Sequence, residues 1–238
     1  FKTEQQQMGQ KLMQLSRQDI EVPHEADDYE QVNRTISYKP ETSWNYELGT
    51  HLNLFGGKLH ADAAVYYMRV RDLQLSVMAG DYGYGRQMIN AGRSSSCGVE
   101  LTLRGTAIEN RLTWAATYGY THSQLLDYKD NQVPFIPSHT FSGMFDYRVG
   151  KFTLGLNVAG NGETYWDADN DYRQNLYAVL GAHAMLDFGV VKLNVWGRNL
   201  TDTKYNTMLV NSSIDGTSRS FAQQGNPLQV GADVILNF

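Results

Sequence analysis

Read at every second position, the chain sorts into nine segments that are apolar on one side and polar on the other. That period of two is the mark of an extended strand with unlike faces. The segments are 43–54, 58–71, 98–104, 111–121, 140–149, 151–160, 176–188, 191–199 and 228–238. In the first, Trp44, Tyr46, Leu48, Leu52 and Leu54 alternate with Ser43, Asn45, Glu47, His51 and Asn53. In the last, Leu228, Val230, Ala232, Val234, Leu236 and Phe238 share one side. The one competitor is 4–18, where Met8, Leu12, Met13 and Leu15 mark a short helix in a polar, Gln-rich stretch. The reading is therefore all-β.

Alternation alone suits a soluble sandwich as well as a membrane barrel, and the connections separate the two. Turns at 55–57, 105–110, 149–150 and 188–190 are tight, whereas 72–93, 123–138, 163–174 and 200–226 are long and polar, with a long lead-in at 1–42. Strict short–long alternation puts every short turn at one end of the strands and every long loop at the other, as in outer-membrane barrels. Segments of about ten residues also match a tilted bilayer-spanning strand. Trp44, Tyr46, Tyr67, Tyr118, Tyr120 and Tyr147 fall near strand ends on the apolar side, where interfacial girdles belong. The opposite side carries Glu47, Lys58, Asp62, Arg104, Arg111, Asp146, Arg148, Lys192 and Arg198. A dry core would not tolerate so many charges, but a wet lumen would. These observations predict an antiparallel transmembrane β-barrel wall.

Composition narrows the partners. The 238 residues carry 20 basic and 25 acidic side chains, a net charge of −5, with no Lys/Arg cluster, which argues against nucleic acid. Cys97, the single cysteine, excludes an intrachain disulfide framework and a thiolate-rich metal site. Mean hydropathy is −0.44 and no apolar run reaches the length of a membrane helix. The chain opens on Phe1 without a charged-then-apolar leader, so no signal peptide is expected and an internal start within something longer is.

Five blocks, in order, resemble the TonB-dependent outer-membrane receptors. Tyr38-Lys39-Pro40-Glu41-Thr42-Ser43-Trp44-Asn45-Tyr46-Glu47-Leu48-Gly49 is similar to the family's "L-K-P-E-x-S…N-x-E-L-G". Asn90-Ala91-Gly92-Arg93 through Gly98-Val99-Glu100-Leu101 resembles "N-x-G-x…G-x-E-L", and Val133-Pro134-Phe135-Ile136-Pro137-Ser138-His139-Thr140-Phe141 resembles "V-P-x-x-P-x-H-T-F". Gly197-Arg198-Asn199-Leu200-Thr201-Asp202-Thr203-Lys204-Tyr205 resembles "x-x-N-L-x-D-x-x-Y", and Phe1-Lys2-Thr3 resembles "G-F-K-x-P", with Glu4 where Pro is usual. The terminal aromatic, Phe238, fits the family's barrel-assembly ending. The resemblance implies about nine C-terminal strands of a 22-stranded barrel, with 1–42 as an extracellular lead-in and 43–238 as strands and loops. It also implies a plug domain outside this chain, through which TonB acts. Residence in the Gram-negative outer membrane follows, with membrane lipid and a surface lipoprotein as partners. The cargo is a small molecule or metal chelate: an iron–siderophore, haem or a glycan fragment. A passive porin or adhesin-type barrel, and a soluble β-protein binding an apolar ligand, stay open as alternatives.

Candidate contacts lie in the long loops. Gly80-Asp81-Tyr82-Gly83-Tyr84-Gly85-Arg86 precedes no helix and so lacks the setting of a phosphate cradle, but Tyr82, Tyr84 and Arg86 stand at a loop tip where aromatic anchors meet ligands. Trp166 and Arg219 complete the set. The run Asp167-Ala168-Asp169-Asn170-Asp171 spaces carboxylates as calcium loops do, yet Tyr172 and Ala178 stand where an EF-hand needs Gly and Glu, so a solvated acidic loop is the expectation. Met8, Met13, Met78, Met88 and Met208 lie in or near loops, where gap-filling outweighs service as soft ligands. The six histidines have no metal-site spacing, and His139 reads as structural. No catalytic constellation is present, so neither an enzyme nor a resident cofactor is expected.

Overall fold

The structure, a computed structural model, describes residues 39–78, 86–108, 111–127, 129–214 and 217–237. The short helix expected at 4–18, most of the lead-in 1–42, Tyr82, Tyr84 and Phe238 lie outside the described residues. In chain order the strands are β1 (Thr42–Leu54), β2 (Leu59–Arg71), β3 (Gln74–Met78), β4 (Arg86–Asn90), β5 (Ser94–Ala107), β6 (Leu112–Leu125), β7 (His139–Val149) and β8 (Phe152–Asn161). There follow β9 (Thr164–Tyr165), β10 (Arg173–Gln174), β11 (Tyr177–Asp187), β12 (Val191–Arg198), β13 (Asn206–Ile214), β14 (Thr217–Gln224) and β15 (Gln229–Leu236). Nine of them form one sheet in the order β1-β2-β5-β6-β7-β8-β11-β12-β15, and every ladder within it is antiparallel. These are the nine segments found by alternation.

Register carries one face through the whole wall, because directly paired residues point to the same side. Leu52 pairs with Ala61, Ala61 with Leu103, Leu103 with Ala116, Ala116 with Gly143, Gly143 with Val158 and Val158 with Leu180. Further along, Leu186 pairs with Leu193 and Leu193 with Val234. Leu52, Leu101, Trp114, Phe145, Leu156, Leu180, Leu193 and Val234 therefore share one face, and Glu47, Asp62, Arg104, Asp146 and Arg198 share the other.

Nothing among the described residues packs over the apolar face. Among the described residues only Val70, Leu125 and Val133 are buried hydrophobics, while Leu156 stays 55% and Val234 68% exposed. A sheet with its large side chains outward needs an apolar solvent, and hydrocarbon supplies it. No helix among the described residues is long and apolar enough to cross a membrane. The polar face is cross-linked from strand to strand. Asp62 accepts from His51 at 2.7 Å and from Arg104 at 2.9 Å, and the hydroxyls of Thr117 and Ser142 meet at 2.6 Å. Asp146 and His183 approach to 3.5 Å across the intervening Gly155, where a Cβ would collide with both.

The two ends of the wall differ. At the short-turn end Phe55–Gly57 makes one 3-10 turn, with Gly56 at φ 67° and Gly57 at φ 84°, angles that cost glycine little. At the long-loop end three connections contain hairpins, β3–β4, β9–β10 and β13–β14, where the polar composition points to irregular loop. The wall strands also run further than their alternation. β5 begins at Ser94, four residues before the apolar period, because Ser94 to Cys97 are paired on both sides by β2 and β6 although no hydrophobic alternation marks them.

The parity of the wall predicts the cost of a charge at its midplane. Leu156→Arg should destabilise the folded barrel in lipid by about 2–4 kcal/mol, and Asn157→Arg, on the polar face, by much less. Denaturant unfolding in bilayers reads the difference; equal costs at the two positions would refute the facing.

Candidate functional site

The long-loop end is held by side chains that act as substitute backbone partners. Asn199, 2% exposed and at φ 49°, donates its amide to the carbonyls of Thr203 and Asn226, both at 2.9 Å, and accepts from the Thr203 N–H at 2.8 Å. Asp202 accepts the Leu228 N–H at 3.0 Å. The Asn-Leu-x-Asp block is thus a knot that aims the chain from β12 into hairpin β13–β14 and back to β15. A second clasp joins the bases of two other loops. Arg93 donates Nη2 at 2.6 Å and its backbone N–H at 2.8 Å to Asp127, and the Leu126 N–H bonds the Arg93 carbonyl at 2.8 Å. These Arg93 donors, side chain first and backbone second, hold the Asp127 carboxyl below the usual carboxylate range.

Loops 126–138 and 162–174 are zipped to each other. Asn131 donates to the Ala168 carbonyl at 2.9 Å, and Asn170 exchanges bonds of 2.7 and 3.0 Å with the backbone of Gln132. Asp167 accepts the N–H groups of Asp171 and Tyr172 at 3.4 and 3.0 Å, so its oxygens close their own loop. Among the described residues no group of three or more His, Cys, Asp or Glu side chains is placed to hold a metal ion. Trp166 stands edge-on to Phe135, centroids 5.7 Å apart, with its buried Nε1–H unpaired. His139 lies between Tyr118 and Tyr120 on the apolar face and bonds the Tyr118 hydroxyl at 2.9 Å, a structural place.

The wall curls enough that β13 lies against β3, although four strands separate their parent strands in the sheet. Beneath the root of hairpin β13–β14 a cleft of about 480 Å³ opens on the polar face. Thr117, Thr140, Ser142, Asn161, Tyr177 and Tyr205 line it. Tyr205 stacks on Tyr177 with ring centroids 4.3 Å apart, and Asn161 donates to the Tyr177 hydroxyl at 3.2 Å. Every polar group here is an uncharged hydroxyl or amide, suited to a neutral, hydrogen-bonding or ring-bearing ligand surface. A larger hollow, about 560 Å³, lies among Phe145, Leu154, Leu156, Val195 and Val230 on the apolar face, where acyl chains would fill it.

Of the five contact residues expected from sequence, the structure places three. Arg86 opens β4, Trp166 follows β9 and Arg219 is exposed in β14. They stand on three different loops. The cleft residues Tyr177 and Tyr205 are the ones sequence reasoning missed. A signal existed for Tyr177: it is an aromatic on the polar side of a strand end, against the parity that puts the girdle tyrosines outside.

A continuous antiparallel wall, with one face for hydrocarbon and one for a wet lumen, defines an outer-membrane β-barrel. Residues 14–200 match the family described as "TonB dependent receptor-like, beta-barrel", and the chain belongs to that family. It is 31% identical over 207 residues to the pesticin receptor of Yersinia enterocolitica, covering 83% of this chain and 29% of that one. It is also similar to the crystal structure of the ferric yersiniabactin uptake receptor FyuA from Yersinia pestis, with TM-score 0.71 and 26% identity over 83% of this chain and 30% of the other. The siderophore receptor PiuA from Acinetobacter baumannii shares the fold, with TM-score 0.68 at 20% identity, over 83% of this chain and 28% of that one. The chain thus spans under a third of the length of these relatives.

The Arg93–Asp127 clasp has a pH signature. A carboxyl whose folded pKa is depressed stabilises the fold above the ordinary carboxylate pKa, and that stabilisation is lost as pH falls through the lower, folded value. Amide-exchange protection at Arg93 and Leu126, corrected for intrinsic rates, should drop below pH about 4. Asp127→Asn should lower it already at neutral pH. Unaltered protection in that variant would show that the clasp does not hold the loop bases.

Proposed function

We propose that the chain is the C-terminal wall of a TonB-dependent import receptor whose cargo is a metal chelate of the siderophore type. The observation that carries the reading is the uncharged tyrosine–hydroxyl cleft on the lumenal face. A ligand caught at the mouth would contact the loop residues Tyr82, Tyr84, Arg86, Trp166 and Arg219, and then the wall at Tyr177 and Tyr205. Aromatic anchors and guanidinium groups carry binding energy well at such sites. The name of one similar structure, a ferric yersiniabactin uptake receptor, favours an iron chelate over a glycan.

In this reading a plug domain elsewhere in the protein fills the lumen and transmits force from TonB. The further strands add at the outer edges of β1 and β15, each of which has one neighbour in the sheet. Phe238 serves barrel assembly, and a surface lipoprotein is a further partner. The protein does no chemistry on its cargo and is not an enzyme.

Uptake of iron by starved cells tests the proposal, using the complete receptor. Uptake through it should vanish when TonB is removed; uptake that persists would mean a passive porin. Tyr177→Ala and Tyr205→Ala should each weaken chelate binding about tenfold or more, the scale of an anchor aromatic. Unchanged affinity in both, with the barrel intact, would remove the cleft from the binding path.

A further inference from the structure

The outward face of β2 departs from the rest of the wall at its long-loop end. Its outward positions run Val65, Tyr67, Arg69 and Arg71, so two guanidinium groups stand where the strand leaves the hydrocarbon. Arg69 pairs in register with Trp44 on one side and Ser95 on the other, and Arg71 pairs with Thr42. Both arginines are exposed. Arg69 lies 6.0 Å from the Tyr67 ring centroid, and neither arginine makes an ion pair with any described residue. Of the carboxylates nearest in sequence and register, Glu41 accepts the Gln74 N–H at 2.9 Å, and Asp72, next to Arg71 in the chain, forms no ion pair with it. In a chain of net charge −5, this is a positive rim facing lipid, without an ion pair among the described residues.

Depth gives the rim its meaning. Trp44, Tyr46 and Tyr67 lie beside and just below the arginines, and such rings settle at the level of lipid headgroups. Below them Leu48, Val65, Val99 and Leu101 offer an exposed apolar surface for acyl chains. The long-loop end belongs to the outer leaflet in this architecture. A guanidinium at that depth needs an anion, and a phosphate oxygen pair matches its fork. Residues two apart on one strand face the same side about 7 Å from each other, so an anion between them also relieves their repulsion.

We infer that the Trp44–Arg69–Arg71 rim is a binding site for a phosphate-bearing lipid of the outer leaflet, with the phosphate on Arg69 and Arg71 and the chains on the apolar surface beneath. The site is separate from the lumenal path of the cargo, and it does not depend on what the receptor imports.

The test uses the complete receptor in mild detergent, as wild type and as Arg69→Gln/Arg71→Gln. Each is titrated with a phosphorylated outer-leaflet glycolipid, with the same lipid after dephosphorylation, and with inorganic phosphate as competitor, read by native mass spectrometry. The wild type should prefer the phosphorylated lipid, and the double variant should bind it at least tenfold more weakly, the scale of losing one charge-assisted contact. The dephosphorylated lipid should bind both forms alike. A heat-resistant folded band common to both forms excludes a folding defect, and Arg69→Lys/Arg71→Lys should restore part of the affinity. Equal binding of the phosphorylated lipid by wild type and double variant overturns the inference, as does no lipid binding by either. Displacement of the lipid by equimolar inorganic phosphate would show a free-anion site and overturn it too.

Discussion

A peptide group in hydrocarbon has no water to bond, so every backbone donor and acceptor of a spanning segment must be met by a neighbour. The wall obeys this through eight consecutive antiparallel ladders, none of which shows a register shift. Because side chains alternate, a slip of one residue in any ladder would turn that strand's leucines into the lumen and its charges into lipid. Pairing and facing are thus one constraint. It explains why the apolar parity chosen at Leu52 is still kept at Val234, and why glycine stands at 155, where two lumenal side chains must meet across a strand.

The same need for backbone partners is met differently at the two ends. At the short-turn end, reversal is immediate, and left-handed glycines make it cheap. At the long-loop end the chain leaves the ladder and returns, and carboxylates and amides take over as surrogate partners: Asn199 for the Thr203 and Asn226 backbone, Asp127 for Arg93, Asp167 for its own loop. These contacts tie the loop bases to one another and to the wall. Such anchoring suits a receptor, whose barrel must persist while its ligand surface is specific.

Much of the wall was legible because it depends on a local period. The nine segments, the long–short order of connections and the outward aromatics at Trp44, Tyr46 and Tyr67 need only alternation and spacing to be seen. The extension of β5 through Ser94 to Cys97 was not legible. Those residues have no alternation of their own, and their strand state comes from the neighbours on either side. Two of the hairpins within the long loops were hidden for a different reason: β9 and β10 have two residues each and β3 and β4 five, too few to show a period. At 167–171 the sequence set a calcium-like spacing aside because of Tyr172 and Ala178, but it could not show that Asp167 accepts from the backbone of its own loop.

By itself the sequence determined the strand period, the face each wall residue would take and the kind of solvent that face required. These properties follow from neighbours along the chain. What only the tertiary structure decided was which residues meet across strands and loops. The stack of Tyr177 on Tyr205, the Asp146–His183 approach and the gathering of β3 against β13 all join positions far apart in the chain. Their proximity is set by register and by the curl of the sheet, which accumulate over many ladders and leave no mark on any single segment.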